Sequence, residues 1–313
     1  ALAIASERLE VLDVHVAVHA LNGALLSSAP NAATGAQRRV DSATLELNSH
    51  FAEHWLAVYG GRVDDYSDFG RQASPRLGLI YQPESDTAIK LLCGQAFRAP
   101  SAAERNGTLN TVLGNAGLKP EVIDSLELVA IGQHAGLLWQ AGVFATAWRD
   151  GIAIVFRPDL KINQFQNVER NRAHGVNASV TWRADGWQVD AGASWVASRN
   201  AKTGASYNIY PQRSATISVA RTVFDGAGRL SLAQRWMDGF DDIPRGDVFA
   251  PTPLPAYART DLAYSHALSR SLTLSAVVRN LLDRDSHLPS PLGSVGGIPG
   301  ERINATVRAA WKF

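Results

Sequence analysis

The most informative stretch of the sequence is Arg302-Ile303-Asn304-Ala305-Thr306-Val307-Arg308-Ala309-Ala310-Trp311-Lys312-Phe313. Apolar side chains occupy its odd-numbered positions, and polar ones occupy every even-numbered position except Ala310. Successive side chains of a β-strand point to opposite faces, so the stretch is predicted to be a strand with one apolar and one charged face. It ends on an aromatic residue, Phe313.

The same alternation recurs along the chain, whereas amphipathic helix patterns are scarce. Between residues 186 and 198, for example, Trp187, Val189 and Trp195 alternate with Gln188 and Asp190. A repeated apolar face with an aromatic terminus favours an all-β fold, namely an antiparallel transmembrane β-barrel. The pattern predicts about fourteen strands, near residues 8–19, 41–51, 55–64, 72–82, 86–96, 122–133, 136–150, 173–184, 186–198, 211–223, 228–237, 256–267, 270–280 and 302–313.

The connections between these strands alternate strictly between short and long. Short turns are predicted around residues 52–54, 83–85, 133–135, 184–186, 225–227 and 267–269. Long loops rich in polar residues, Gly and Pro are predicted at 20–40, 65–71, 97–121, 151–172, 199–210, 238–255 and 281–301. Outer-membrane barrels have short periplasmic turns and long extracellular loops, whereas soluble sandwiches and propellers do not segregate long loops so regularly. Both chain ends are then expected on the periplasmic side.

Composition excludes several classes of protein. Lys and Arg total 30 and Asp and Glu total 29, and this balance argues against a nucleic-acid partner. The sequence has no apolar run of about 18 residues, so no transmembrane helix is expected, but a closed barrel also satisfies its backbone in lipid. Cys93 is the single cysteine, which excludes an intrachain disulfide. Because Ile89 and Leu91 share its strand face, we expect a buried apolar thiol.

Tryptophan placement fits a membrane barrel. Aromatic side chains form girdles at both membrane interfaces of such barrels, and most tryptophans here fall near predicted strand ends. The alternative is that they pack in a soluble core. The residues concerned are Trp139, Trp148, Trp182, Trp187, Trp195, Trp236 and Trp311.

Several short motif blocks occur in order along the chain. The central block combines Phe97-Arg98-Ala99-Pro100-Ser101, Gly114-Asn115, Leu118-Lys119-Pro120-Glu121 and Ser125-Leu126-Glu127. The other blocks are Gly61-Arg62-Val63-Asp64, Asp68-Phe69-Gly70, Ser74-Pro75-Arg76-Leu77-Gly78, Gln166-Asn167-Val168, Gly175-Val176-Asn177, Leu254-Pro255-Ala256-Tyr257-Ala258-Arg259-Thr260-Asp261-Leu262, Arg279-Asn280-Leu281-Leu282-Asp283 and Pro299-Gly300-Glu301-Arg302. Together these blocks resemble those of the TonB-dependent outer-membrane receptors, with Asn177 where that family usually has Glu.

The resemblance implies a 22-stranded barrel around an N-terminal plug. We therefore expect residues 1–313 to be a partial barrel domain lacking the plug and the TonB box. The sequence begins Ala1-Leu2-Ala3-Ile4, without an initiator Met or a basic segment, so no signal peptide is predicted. We expect the C-terminal part of a longer outer-membrane protein. The partners implied by the family are the TonB complex, a metal-chelate or cobalamin-type ligand, outer-membrane lipid and the barrel-assembly machinery.

Ligand contacts are expected in the long loops, where aromatic rings and arginines suit a bulky anionic chelate. Asp238, Asp241 and Asp242 could form a calcium site, but a solvated acidic turn is the favoured interpretation. The predicted ligand contacts are Tyr66, Phe69, Arg105, Arg149, Tyr207, Tyr210, Trp236, Phe240 and Arg245.

Most family-motif residues are predicted to be structural. Pro100 removes a backbone donor at a strand end, and Arg98 is expected to be held by Glu104 or Glu121. Asn280 and Asp283 are expected to tie down a loop entrance through bonds to the backbone. The full structural set is Phe97, Arg98, Ala99, Pro100, Ser101, Gly114, Asn115, Pro120, Glu121, Asn280, Asp283 and Phe313.

The predicted function is uptake of a scarce, large solute, with a ferric siderophore first, cobalamin second and haem third. No G-x-S-x-G, H-E-x-x-H or C-x-x-C motif is present, so no enzyme, cofactor or metal site is expected. Two alternatives stay open: a passive porin or structural barrel closed by fewer strands, and a non-functional remnant of a truncated gene.

Overall fold

A computed structural model describes residues 12–24, 37–109, 112–206, 209–241, 253–288 and 297–312. Strands of eight residues or more account for most of this part of the chain, and each has a counterpart among the predicted ones. They are β1 Leu12–Ala24, β2 Gln37–Ala52, β3 Trp55–Tyr66, β4 Gly70–Glu84, β5 Thr87–Arg98, β6 Glu121–His134, β7 Leu137–Arg157, β8 Ile162–Ala184, β9 Trp187–Asn200, β10 Arg213–Val223, β11 Gly228–Met237, β12 Tyr257–Ala267, β13 Leu272–Arg279 and β14 Asn304–Trp311.

Shorter elements lie in the connections. A one-turn helix, α1, spans Ala102–Asn106, and a 3₁₀ turn spans Phe224–Gly226. No helix in the described ranges has both the length and the apolar character needed to cross a membrane. Two-residue strands pair as Thr108–Leu109 with Val112–Leu113, Phe240–Asp241 with Pro253–Leu254, and His287–Leu288 with Ile298–Pro299.

Two of the predicted long loops are wrong. The segment predicted as a loop at 151–172 is mostly strand, because β7 continues to Arg157 and β8 begins at Ile162. Residues 152–156 form a continuous apolar run that extends the strand past Asp150, whose positive φ of 56° marks a local irregularity. The predicted loop at 65–71 is only a tight connection between Tyr66 and Gly70.

The strands pair in chain order, each with its sequence neighbour, and the register given for the long strands is antiparallel. The all-β, antiparallel fold predicted from alternation is therefore confirmed. The chain divides into two compact units, which are described separately. The first unit covers Ala1–Val129, Phe144–His174 and Arg199–Ala205, and the second covers Ala130–Val143, Gly175–Ser198 and Ser206–Phe313.

Register in the second unit aligns apolar residues across four strands. Leu232 lies opposite Leu262, Leu262 opposite Val278, and Val278 opposite Ala305. On the same face Val307 is 77% exposed, although it is strongly apolar. A contiguous exposed apolar face of this kind needs lipid or another apolar partner to cover it.

The first unit shows the same arrangement. Tyr59 lies opposite Leu77, Leu77 opposite Cys93, and Leu79 opposite Leu91. Cys93 is half-buried beside exposed Leu77 and Leu91, so the expected buried thiol is wrong. The alternation correctly predicted that Cys93 lies on the same strand face as Ile89 and Leu91, but that face is exposed and not packed against other side chains.

Candidate functional site

The motif at the end of β5 begins a capped helix. Ser101 is the N-cap of α1, and its Oγ accepts from the Glu104 N–H at 3.2 Å. The Glu104 carboxylate in turn accepts from the Ser101 N–H at 2.7 Å, which completes a capping box. Pro100 is buried immediately before it. The Ser-x-x-Glu spacing was visible in the sequence but was not used to predict this helix.

Arg98 uses both of the acidic partners that the sequence suggested. Its Nε donates to Glu121 Oε2 at 2.6 Å, and its Nη1 and Nη2 donate to the two oxygens of Glu104 at 3.0 and 3.1 Å. Glu121 Oε1 also accepts from the Ile152 N–H at 2.7 Å. The nearly buried Glu121 carboxylate therefore joins β5, β6 and the extension of β7. Its partner, the Arg98 guanidinium, also anchors α1 through Glu104.

The stability of α1 is expected to depend on pH through Glu104. Burial alone would raise the pKa of Glu104, but hydrogen bonds from Arg98 and Ser101 outweigh it and hold the pKa below the ordinary 4.5. Stabilisation from a depressed carboxyl pKa is present above the unfolded value and is lost as the pH falls through the folded one. Hydrogen exchange in α1, corrected for intrinsic rates, should accelerate below pH 4.5.

The Glu104→Gln variant is the control for this prediction, because glutamine keeps the shape but does not ionise. Its corrected exchange rates in α1 should not change across the same pH range. Constant rates in the unmodified protein would contradict a role for the Glu104 charge.

The loop returns to the sheet through Gly114 and Asn115. Asn115 Nδ2 donates to Phe165 O at 3.0 Å, and Gln164 Nε2 donates to Gly114 O at 3.1 Å. A Cβ at position 114 would lie 2.7 Å from Gly107 O, which leaves space for glycine alone. These contacts give the Gly-Asn motif a structural role on the extended part of β8.

The last part of the loop is held by one amide side chain. Asn167 Oδ1 accepts from the Lys119 N–H at 2.8 Å, and its Nδ2 donates to Lys119 O and Asp150 O. Leu118, immediately before, is 2% exposed, and Pro120 is also buried. The loop is therefore pinned at both ends by side chains of its own sheet.

A group that we call the arginine–aromatic cluster lies beside this loop and consists of Arg38, Tyr66, Asp68, Phe69 and Arg105. The Tyr66 and Phe69 rings stack with centroids 4.2 Å apart. The Arg38 guanidinium lies over both rings, 5.6 and 5.3 Å from the centroids, and Arg105 lies 5.9 Å from that of Phe69. Three predicted ligand contacts, Tyr66, Phe69 and Arg105, are thus brought together.

Hydrogen bonds fix the cations of the cluster. Arg38 Nη2 donates to Asp68 Oδ2 at 2.7 Å and to Pro100 O at 2.8 Å. Arg105, 9% exposed, donates to Leu118 O at 2.8 Å and to Asp68 O at 2.7 Å. Arg105 Nε lies 3.5 Å from Asp68 Oδ2 and forms an ion pair with it, but Nε donates no hydrogen bond to an acceptor in the described residues.

The sequence did not single out Arg38, which together with Asp68 holds the cluster in place. Their partners are 30 or more residues away, and no local pattern relates them. A local signal does exist in the Gly-Arg-x-Asp motif. Arg62 and Asp64 are two residues apart, therefore on one face of β3, and Arg62 Nε donates to the nearly fully buried Asp64 at 2.8 Å.

The remaining predicted ligand contacts do not join the cluster. Arg149 forms an exposed ion pair with Asp124, Nε to Oδ2 3.1 Å. Phe240 is buried in the short pairing with Leu254, and Tyr210 is exposed in the second unit. Three predicted residues, Tyr207, Arg245 and Phe313, lie outside the described residues.

Trp236 requires a correction. It lies opposite Ala215 and Ala258, in the face that also contains Leu230 and Leu232. Register therefore places it among the apolar residues expected to meet lipid, with the girdle aromatics and not with polar loop groups.

The acidic loop that follows β11 provides no metal site within the described part of the chain. Asp238 lies 3.7 Å from Arg213, Nε to Oδ2, and Asp242 falls outside the described residues. No group of three His, Cys, Asp or Glu side chains suited to a metal ion occurs among the residues described.

In the second unit, Asn280 organises the loop after β13. It is 2% exposed; its Nδ2 donates to Arg284 O and Glu301 O, both at 2.9 Å, and its Oδ1 accepts from the Arg284 N–H. The Asp283 carboxylate accepts from Arg302 at 2.6 Å and from the Ile303 N–H at 3.0 Å. Both ends of the loop are therefore joined through side chains at its start.

Antiparallel strands in chain order, with an exposed apolar face, define the protein as an outer-membrane β-barrel protein. The particular family follows from comparison with known sequences. A family model described as TonB dependent receptor-like, beta-barrel, matches residues 17–281, and the chain belongs to the TonB-dependent receptor family. Its members are outer-membrane proteins of Gram-negative bacteria.

Individual relatives are distant. The vitamin B12 transporter BtuB of Vibrio cholerae is 24% identical over 243 residues, which cover 74% of this chain and 37% of that protein. The ferric enterobactin receptor of Pseudomonas aeruginosa is 23% identical over 307 residues, 86% of this chain and 41% of that protein. The chain thus spans less than half the length of these curated relatives.

A solved structure supports the barrel fold. The siderophore receptor PirA from Acinetobacter baumannii superposes with a TM-score of 0.79, over 96% of this chain and 52% of that one. Its sequence identity is 14%, so the likeness concerns the fold alone.

Proposed function

We propose that this chain is the C-terminal barrel portion of an uptake receptor that imports a ferric siderophore across the outer membrane. Membership in the TonB-dependent receptor family is the observation on which the proposal depends. Import by such a receptor is energised binding without catalysis: the loops capture the ligand and the TonB complex drives its passage.

The chemistry of the loop end supports an anionic, aromatic chelate as ligand. The arginine–aromatic cluster places two guanidinium groups and one carboxylate, that of Asp68, beside two stacked rings, so the cluster has one more cation than anion. Guanidinium groups form charge-assisted bonds to anionic oxygens, and aromatic rings stack on planar ligands. The contact role assigned to Tyr66, Phe69 and Arg105 is part of this proposal.

The named relatives support two ligand classes. One is described as a ferric enterobactin receptor and one as a vitamin B12 transporter. We place the siderophore first because its iron complex is anionic and can pair with the cations at the loop end, whereas binding of cobalamin depends less on cationic side chains. Haem is the third choice.

Uptake by cells tests the proposal. The gene that encodes this chain is expressed in a Gram-negative host lacking its own receptors for ferric catecholates and cobalamin, and uptake of radiolabelled ferric enterobactin is measured. The expected result is uptake that disappears when the host also lacks TonB. A parallel measurement uses radiolabelled cobalamin.

Each other outcome has a definite meaning. Uptake of cobalamin alone would overturn the siderophore assignment while keeping the receptor. Ion conductance in planar bilayers that is independent of TonB would indicate a passive porin. Correctly inserted protein that takes up neither ligand and conducts no ions would contradict the proposal altogether.

A further inference from the structure

An Asn-Gly dipeptide lies at the end of α1. Asn106 is the last residue of the helix and is exposed, and Gly107 is its C-cap and is buried. Asn-Gly is the dipeptide most prone to deamidation, because glycine has no side chain to hinder attack of its backbone nitrogen on the preceding amide. The sequence contains one other Asn-Gly dipeptide, at 22–23, which lies within the paired strands β1 and β2. The dipeptide at 106–107 is thus the one next to a single helical turn.

The packing of the loop requires glycine at position 107. A Cβ there would lie 2.8 Å from Ala103 O and 2.9 Å from Ala103 Cα, which are backbone atoms of α1. Gly107 O also accepts from the Gly114 N–H at 2.7 Å, so the residue is fixed from both sides. The glycine that makes Asn106 reactive therefore cannot be exchanged for a larger residue without disrupting the loop.

The attacking nitrogen is occupied while α1 is folded. The Gly107 N–H donates to Ala103 O at 3.0 Å, and the residue is buried. This nitrogen must lose its proton to attack the Asn106 side chain, and a base in the solvent reaches the proton only when the hydrogen bond is broken. Reaction at Asn106 therefore requires α1 to open.

Opening of α1 is expected to be a local event. A single helical turn does not persist alone in water, so α1 depends on its caps and side-chain contacts. These are the capping box of Ser101 and Glu104 and the bond from Arg105 to Leu118 O. They can break while the long strands stay paired, so the open state has a lower free energy than the unfolded protein. The deamidation rate should equal that of an unfolded Asn-Gly dipeptide multiplied by the open fraction.

We propose that Asn106 is a deamidation site whose reaction is controlled by the opening of α1. Gly107 N forms a bond to Asn106 Cγ, the Cγ–Nδ2 bond breaks, and ammonia leaves with the proton taken from Gly107 N. Water then opens the cyclic imide. Cleavage of the bond from the nitrogen to Cγ gives aspartate, and cleavage of its bond to the backbone carbonyl carbon gives isoaspartate. Water is the only co-reactant, and the reaction does not depend on the transported ligand.

The isoaspartate product changes the backbone. The chain then runs through Cγ, which adds one methylene between residues 106 and 107. The bonds of Gly107 to Ala103 and Gly114, at 3.0 and 2.7 Å, leave no room for this insertion. The short pairing of Thr108–Leu109 with Val112–Leu113 follows directly in the chain. Modification therefore loosens the loop between β5 and β6 irreversibly.

Two measurements on the same nitrogen test the control by α1. Purified protein in detergent micelles is incubated at mildly alkaline pH, and the modified fraction at Asn106 is followed by mass spectrometry with fragmentation that distinguishes isoaspartate. Hydrogen exchange of the Gly107 N–H is measured in the same buffer. Relative to the urea-unfolded chain, folding should slow deamidation and exchange by the same factor, because both reactions need the same N–H to be released.

Variants of the cap change the open fraction. Ser101→Ala removes the N-cap acceptor and should accelerate both deamidation and Gly107 exchange about fivefold. Ser269→Ala is the matched control, because Ser269 Oγ also accepts from backbone N–H groups in an exposed turn, and its loss should leave the rate at Asn106 unchanged. Asn106→Gln keeps an amide but requires a larger ring for attack, so no product should form. If Ser101→Ala does not fold, Glu104→Gln weakens the same helix through the lost charge.

Several results would overturn the proposal. Deamidation of the folded protein at the rate of the unfolded chain would show that α1 gives no protection. If Ser101→Ala accelerates exchange at Gly107 but not deamidation, the reaction does not proceed through the opening of α1. A slowing of deamidation far beyond that of exchange would show that opening leaves Asn106 unreactive. Unchanged exchange in residues 101–109 of the isolated isoaspartate form would contradict the loosening of the loop.

Discussion

Replacing Asn280 with alanine should destabilise the protein by about 4 kcal/mol, which is a large share of the stability of an ordinary domain. The side chain makes three hydrogen bonds to the backbone while 2% exposed, so its loss leaves buried donors and acceptors without partners. Asn280 also has a positive φ of 50°, a conformation that alanine adopts at a cost of about 1 kcal/mol or more.

Denaturant unfolding of the purified protein in detergent micelles measures this effect. Asn280→Gly separates the two causes, because glycine accepts the positive φ but makes none of the side-chain bonds. Asn280→Asp keeps the acceptor for the Arg284 N–H and loses both donors. The expected order of stability is the unmodified protein, then Asp and Gly, then Ala. A loss below about 1 kcal/mol for Asn280→Ala would show that the loop is held by other contacts.

The second large effect is expected at Arg105. Arg105→Ala removes two hydrogen bonds to backbone carbonyls, the ion pair with Asp68 and the contact with the Phe69 ring. The carbonyls of buried Leu118 and half-buried Asp68 lose their donor, so we expect a loss of about 2 to 4 kcal/mol. Hydrogen exchange should accelerate in residues 99–109 and 112–120 more than in the sheet.

Arg149→Ala is the matched control, because both arginines were predicted to contact ligand. Arg149 is exposed and its ion pair with Asp124 lies at the surface, so its loss should cost about 0.5 kcal/mol or less. Binding of ferric enterobactin by the two variants then separates folding from recognition. If Arg105→Lys restores stability but not affinity, the guanidinium contacts the ligand. Equal stability of Arg105→Ala and Arg149→Ala would contradict the structural role.

The positions of the strands could be predicted from the sequence because the two faces of these strands meet different surroundings. Leu232 and its neighbours across the sheet need an apolar surrounding, while Arg259 on the other face forms an ion pair with Asp261 at 2.8 Å. That requirement imposes period two on the sequence, so alternation locates the strands. Residues 152–156 are apolar without alternation, and the prediction of a loop failed there because the strand continues to Arg157.

The residues of the candidate site were harder to predict from the sequence. Arg98 was paired correctly in advance because its two acidic partners belong to the same motif block. The arginine–aromatic cluster joins Arg38 of β2, Asp68 of the β3–β4 connection and Arg105 of α1, and no spacing in the sequence relates them. Trp236 was predicted to face ligand because it lies near a loop, and only the register of β10, β11 and β12 assigned it to the apolar face.

The sequence by itself determined the all-β class, the strand positions and the family, because alternation and motif blocks are local properties of the chain. Tertiary structure alone decided which loop side chains meet. Those outcomes depend on strand register and on contacts between residues 30 or more positions apart. A one-residue change of register would move every side chain to the other face, and neither alternation nor spacing records that choice.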